Sequence, residues 1–87
     1  MSAAPALPPA GTITMFTTPW FGYCRGLKKG LDREGIAYTD FDIEQNLESA
    51  DYVMSVNGGN QTVPTVVFPD GTAATNPSLA EVRLRLA

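Results

Sequence analysis

The sequence predicts one α/β domain, a four-stranded mixed sheet flanked by helices in the order βαβαββα. Three observations support this prediction: the chain has only 87 residues, strand-like and helix-like apolar patterns alternate along it, and turn residues separate the last elements. A chain of this length forms a single domain, because each of two halves would be too small to keep a core. We expect a flexible tail over residues 1–11, which contain Pro5, Pro8 and Pro9, and a folded domain over residues 12–87.

The first part of the chain predicts a strand, a helix, a strand and a helix. Residues 12–17 are β-branched and aromatic, which favours a buried strand, and residues 36–43 alternate loosely as a second strand would. Residues 21–34 form an amphipathic helix, and Asn46 caps another that ends in the turn residues 57–60. A strand, helix and strand in succession cross over right-handedly, so the first two strands should be parallel. The apolar positions of the first helix are Cys24, Leu27 and Leu31.

The last part of the chain predicts a hairpin and a helix. Residues 65–68 and 72–74 read as short strands, and Pro69-Asp70-Gly71 between them (residues 69–71) is a turn signal. Asn76 followed by Pro77 is a suitable cap and first position for the last helix. In the first helix, Gly26 and Gly30 each lower the helix propensity, so we expect packing to hold that helix, with its backbone close to the sheet.

Charge and cysteine content exclude several classes of function. The net charge is −3 and no basic stripe alternates with aromatic residues, which argues against nucleic-acid binding. The basic cluster of the first helix and the acidic residues after it are interpreted as two solvated faces. One cysteine and no histidine exclude an internal disulfide and a cysteine–histidine metal site. Residues 1–11 lack the pattern of a signal peptide or a membrane span, so we expect a cytoplasmic protein that does not bind membranes.

Three motifs fall at the junctions of the predicted elements. W-F-G-Y-C stands at residues 20–24, T-V-P at residues 62–64, and D-G through T-N-P at residues 70–77. In this order and on these elements, the motifs resemble those of the glutaredoxins. Within that family the chain most resembles the mycoredoxins of actinobacteria, which share S-V-N-G-G-N-x-T-V-P-T-V, here residues 55–66, and T-N-P. The resemblance extends from about Thr12 to the last residue.

The resemblance implies a thioredoxin fold of the glutaredoxin type and the reduction of mixed disulfides between proteins and mycothiol. The family's nucleophile is the first cysteine of C-G-Y-C, which a helix N-terminus keeps as a thiolate. Phe21 occupies that position here and has no sulfur, so we expect the chain to be inactive as written. Mycothiol would be a co-substrate, with no bound cofactor, metal or iron–sulfur cluster. The implied partners are oxidised or mycothiolated proteins, a low-molecular-weight thiol and a reductase, and the implied state is a monomer.

Cys24 stands at the family's resolving position. From residue chemistry alone, a lone cysteine on the Leu27 and Leu31 stripe is typical of an inert core residue. The resemblance moves it toward the edge of the site, about 4.5 Å along the helix axis from position 21. We therefore expect a mostly buried and slow thiol.

The remaining candidate site residues belong to a substrate groove by resemblance. We expect a cis bond between Val63 and Pro64, after Thr62, with the Val63 backbone exposed to pair with an extended substrate. Thr75 and Asn76 could donate to a thiol ligand, although a helix cap explains Asn76 equally well. Tyr23 either flanks the ligand or covers the start of the helix, and Trp20 is interpreted as a packing anchor of the loop.

Three functional hypotheses stay open at this point. The first is a mycoredoxin-like domain with an intact groove and no nucleophile. The second is a non-catalytic binding module in which Phe21 makes an apolar contact with a partner. The third is an enzyme that acts through Cys24 as a single thiol.

Overall fold

The computed structural model describes residues 5–87. Its elements are β1 (Ile13–Thr17), α1 (Gly22–Glu34), β2 (Tyr38–Asp42), α2 (Leu47–Val56), β3 (Thr65–Val67), β4 (Ala73–Thr75) and α3 (Leu79–Leu86). The four strands form one sheet in the order β2-β1-β3-β4. β1 and β2 are parallel, whereas β3 is antiparallel to both β1 and β4. The predicted element order, the parallel first pair and the final hairpin are confirmed.

The sheet separates two layers of apolar side chains, because alternate residues of a strand point to opposite faces. Ile13 and Met15 of β1 face α1 and α3, whereas Phe16 faces α2. The buried cluster on the first face contains Ile13, Met15, Leu27, Leu31, Val66, Phe68 and Val82. The buried cluster on the second face contains Phe16, Cys24, Ile43, Ala50, Val53, Val63 and Val67.

The two glycines of α1 have different surroundings. A Cβ on Gly30 would lie 2.9 Å from the Leu79 side chain of α3, whereas a Cβ on Gly26 would meet nothing within 4 Å. Gly30 therefore permits a close approach between two helices. The prediction that packing holds α1 is confirmed there, but the neighbour is α3 rather than the sheet.

Several predicted boundaries change by one or two residues. β2 begins at Tyr38 rather than at residue 36, because the chain first leaves α1 through Gly35 in the left-handed conformation at φ 70°. β3 ends one residue earlier than predicted, and β4 covers Ala73–Thr75 rather than residues 72–74. The prediction that Asn76 caps α3 is wrong. Ser78 is the cap, and its side chain accepts a hydrogen bond from the Glu81 amide.

The predicted tail falls partly outside the described residues, which begin at Pro5. Residues 5–12 contain no helix or strand, and Pro8 among them is buried. Together with Phe16, Phe41 and Tyr52, residues 5–9 line a cleft of about 290 Å³ on the α2 face. Flexibility of this segment stays a prediction. Between Pro5 and Ala87, no helix has the length and apolar character needed to cross a membrane.

Candidate active site at the amino end of the first helix

Phe21 is the cap residue of α1, so the helix begins at Gly22, one residue later than predicted. It has extended backbone dihedrals of −84° and 125°, and its side chain makes no capping hydrogen bond. Its carbonyl accepts the first helical hydrogen bond, from the Arg25 amide at 3.2 Å. The amides of the first helical turn precede that bond and have no partner within the helix, so they present positive potential where the Phe21 side chain begins. This is the environment that would stabilise a thiolate.

An aromatic row crosses this end of the helix. The Phe21 ring lies edge-on to Trp20 at 5.8 Å and to Tyr23 at 5.4 Å between centroids. Trp20 is 62% exposed and Tyr23 66% exposed, whereas Phe21 is half-buried. The Trp20 indole N–H donates to the Glu44 carboxylate at 3.1 Å, so its polar edge is held while its ring faces solvent. Trp20 is therefore fixed in place but is not the packed anchor that was predicted.

Cys24 lies one turn into α1 and is fully buried. Its neighbours in the second-face cluster include Phe16 and Val63, and Phe21 packs against the same cluster. Burial raises the pKa of the Cys24 thiol above its ordinary value. A hydrogen bond from the Thr18 backbone and the charge of Lys28 lower this pKa only in part. The thiol is consequently protonated and shielded at neutral pH, as its place on the apolar stripe indicated.

A charged pair links α1 to β2. Lys28 Nζ lies 2.5 Å from Asp40 Oδ2, and the Thr17 hydroxyl donates to Asp40 Oδ1 at 2.6 Å. Both charged side chains are about a quarter exposed. At this pair, therefore, the basic residues of α1 and the acidic residues that follow are in contact and do not form the two separate solvated faces that were expected. Sequence reasoning missed the pairing, because the two residues are distant in the chain.

The bond between Val63 and Pro64 is cis, as the resemblance implied. Val63 and Pro64 are buried, whereas Thr62 is exposed. Within residues 5–87, neither the amide nor the carbonyl of Val63 takes part in a hydrogen bond of the fold. The Pro64 carbonyl accepts from the Asn76 amide at 2.7 Å, which brings β4 and the Thr62–Pro64 segment together.

The two predicted donors at the end of β4, Thr75 and Asn76, differ in whether the side-chain donor already has an acceptor. The Thr75 hydroxyl donates to the Asn57 side-chain oxygen at 2.5 Å, so its hydrogen already has an acceptor. Asn76 is exposed and adopts the left-handed conformation at φ 49°. Its backbone amide is engaged by Pro64, which leaves the side chain as the group that faces solvent. Asn57 itself was read from the sequence only as a turn residue.

The chain has the architecture of the thioredoxin-like fold. A crystal structure of glutaredoxin 1 from Archaeoglobus fulgidus superposes with a TM-score of 0.69, covering 90% of this chain and 87% of that one at 20% identity. A crystal structure of the thioredoxin-like protein BC3987 gives a TM-score of 0.71, covering 84% and 97% of the two chains at 22% identity. At these identities the similarity shows the fold alone.

The family follows from closer relatives. The glutaredoxin family model matches residues 13–72. Mycoredoxin 1 of Corynebacterium glutamicum is 51% identical over 70 residues, 80% of this chain and 86% of that protein. A protein of Mycobacterium tuberculosis strain H37Rv that is named as a predicted glutaredoxin is 54% identical over 74 residues, 85% and 88% of the two chains. The chain belongs to the glutaredoxin family, which acts on thiol-modified protein substrates, and it is related to mycoredoxin.

Proposed function

We propose that this chain is a mycoredoxin-type thiol–disulfide oxidoreductase domain whose chemistry is silenced by Phe21. In this proposal the groove accepts a protein–mycothiol mixed disulfide, mycothiol is the co-substrate and a reductase restores it. The observation that carries the proposal is the place of Phe21, at the cap of α1, beside the Tyr23 ring and packed against the cluster that contains Cys24 and Val63. The single buried free cysteine is compatible with a reducing compartment such as the cytoplasm.

The chemistry requires a thiolate at position 21. Such a thiolate would attack the mycothiol sulfur of the mixed disulfide, form a new disulfide with it and release the protein thiolate. A second mycothiol would then attack the new disulfide, leave as mycothiol disulfide and return the thiolate to the domain. The first-turn amides of α1 would stabilise the charge, and the Val63 amide and carbonyl, which make no hydrogen bond within residues 5–87, would pair with an extended substrate. Phenylalanine supplies neither sulfur nor a proton acceptor.

Cys24 is a poor substitute for the missing nucleophile. It is fully buried, and burial raises its pKa, so both access and thiolate fraction are low. A mixed disulfide on Cys24 would place a thiol ligand inside the cluster of Phe16 and Val63, which has no space for it without local opening. The hypothesis of a single-thiol enzyme is therefore the least favoured of the three.

One observation favours a second candidate function, a non-catalytic binding module. Trp20, Phe21 and Tyr23 form a continuous aromatic row, and the two outer rings are more than half exposed. Exposed aromatic residues near the Val63 backbone suit the binding of an extended peptide, because rings and main chain can contribute together. In this function Phe21 makes an apolar contact with the bound partner and has no catalytic role.

The test of the proposal compares the chain as written with Phe21→Cys in the reduction of a small mycothiol mixed disulfide, coupled to the matching reductase. We expect negligible turnover for the first and clear turnover for the second. The substitution removes a half-buried ring and should cost about 1–2 kcal/mol of stability, more than a surface position would. Phe21→Ser is the matched control, because it removes the same ring without adding sulfur. Similar turnover by the chain as written, or none by folded Phe21→Cys, would contradict the proposal.

A further inference from the structure

The Asn57 side chain makes three hydrogen bonds, which use both of its N–H donors and its oxygen. It lies just after α2, where its Nδ2 donates to the Val53 carbonyl at 2.8 Å and to the Thr65 hydroxyl at 3.1 Å. Its Oδ1 accepts from the Thr75 hydroxyl at 2.5 Å. One half-buried amide group therefore connects the end of α2 to β3 and to β4.

The contacts of Asn57 continue to the two segments that would form the substrate groove, Thr62–Pro64 and the end of β4. On one side, the Thr65 hydroxyl donates to the Thr62 carbonyl at 2.8 Å, which fixes the residue before Val63. On the other side, Thr75 precedes Asn76, whose amide donates to the Pro64 carbonyl. Through Thr65 and Thr75, which are also paired across the β3–β4 ladder, the amide group of Asn57 is therefore linked to both the Thr62–Pro64 segment and the end of β4.

We propose that Asn57 is a positioning residue, which acts through Thr65 and Thr75 to align the two sides of the substrate groove. This inference rests on the proposed function, because it assigns Asn57 to the groove that would bind the mixed disulfide. The role requires two donors and one acceptor on a short side chain. Alanine has none of these groups, and an aspartate would present a carboxylate to the Val53 carbonyl instead of a donor.

The kinetic test uses Phe21→Cys as the parent. Adding Asn57→Ala should raise KM for the mycothiol mixed disulfide roughly tenfold and change kcat less than about twofold, because groove alignment is lost and the nucleophile is untouched. In the Asn57→Ala variant, the thiol introduced at position 21 should be alkylated at the same rate as in the parent. Asn60→Ala is the matched control, because Asn60 lies in the same loop and, within residues 5–87, its side chain hydrogen-bonds to the Asn57 carbonyl rather than to the Asn57 side chain. Thr75→Val removes one contact at an exposed site and should raise KM by roughly threefold.

A second test needs no activity. In the chain as written, Asn57→Ala should accelerate hydrogen exchange of the Asn76 amide roughly tenfold over Asn60→Ala, while the β1 amides keep their rates. If Phe21→Cys does not turn over, the proposed function fails and the exchange result alone decides the role of Asn57. If Asn57→Ala speeds exchange throughout the sheet, Thr75→Val replaces it in both tests. Unchanged Asn76 exchange, or faster exchange with an unchanged KM in an active parent, would overturn the proposal.

Discussion

The protection of Cys24 can be measured directly, and its magnitude follows from the structure. The side chain has no exposed surface, so a labelling reagent reaches it only when the structure opens. Local opening around a core position costs about 3 kcal/mol or more, and global unfolding of a small domain costs about 5 kcal/mol or more. At 1.4 kcal/mol per factor of ten, native labelling should be about 100-fold to several thousand-fold slower than labelling of the unfolded chain. The raised pKa of the thiol slows the native reaction further.

The assay is iodoacetamide labelling at pH 7.0, followed by intact mass, in native buffer and in denaturant. A matched control is Tyr23→Cys combined with Cys24→Ala, which places the only thiol at a position of the same helix where the native residue is 66% exposed. The control should label nearly as fast in native buffer as in denaturant. If Cys24 in the native chain labels at the control's rate, it is accessible, and the argument that it cannot replace the nucleophile is refuted.

Three further predictions concern the helices and the pH dependence of stability. Gly26→Ala should stabilise the domain by about 0.5–1 kcal/mol in urea unfolding, whereas Gly30→Ala should give no gain or a loss, because its Cβ would meet the α3 side chain. Ser78→Ala should cost about 1 kcal/mol, whereas Asn76→Gly should be nearly neutral, since glycine accepts the left-handed backbone at that position; equal losses would restore Asn76 as the cap. Finally, the raised pKa of Cys24 means that the unfolded chain loses this proton at lower pH than the folded chain. Its contribution to stability is therefore complete below the ordinary thiol pKa of 9.0 and is lost as the pH rises through the folded value, a decline that Cys24→Ala should lack.

The fold could be predicted almost completely from local patterns. Residues 12–17, the helix through Leu27 and Leu31, and the turn at residues 69–71 each carry an unambiguous signal, and the right-handed crossover then fixes the first strand pair. The error at α3 has a physical cause. Asn76 and Ser78 are both good caps, and the amide of Asn76 is instead engaged by Pro64 in a left-handed turn, a long-range contact that no local pattern contains.

The site was predictable where a motif marked it and unpredictable where contacts between distant residues built it. Phe21, Cys24 and Pro64 were found from the resemblance, and the burial of Cys24 followed from its helical spacing. The pairing of Lys28 with Asp40 and the contacts of Asn57 with Thr65 and Thr75 join residues from different elements. An asparagine that follows a helix is commonly interpreted as a turn residue. Only the structure shows that the Asn57 side chain also links the end of α2 to β3 and β4.

Whether position 21 is the place of the chemistry is tested most directly by trapping. The chain as written and the double variant Phe21→Cys with Cys24→Ala are each incubated with mycothiol disulfide, and intact mass and peptide mapping locate any adduct. We expect the variant to gain one mycothiol unit at position 21, because a thiolate there can attack the disulfide and release one mycothiol, and with mycothiol disulfide in excess and no second protein thiol the adduct persists. The chain as written should remain unmodified. An adduct on Cys24 in the chain as written, or no adduct on the folded variant, would contradict the account.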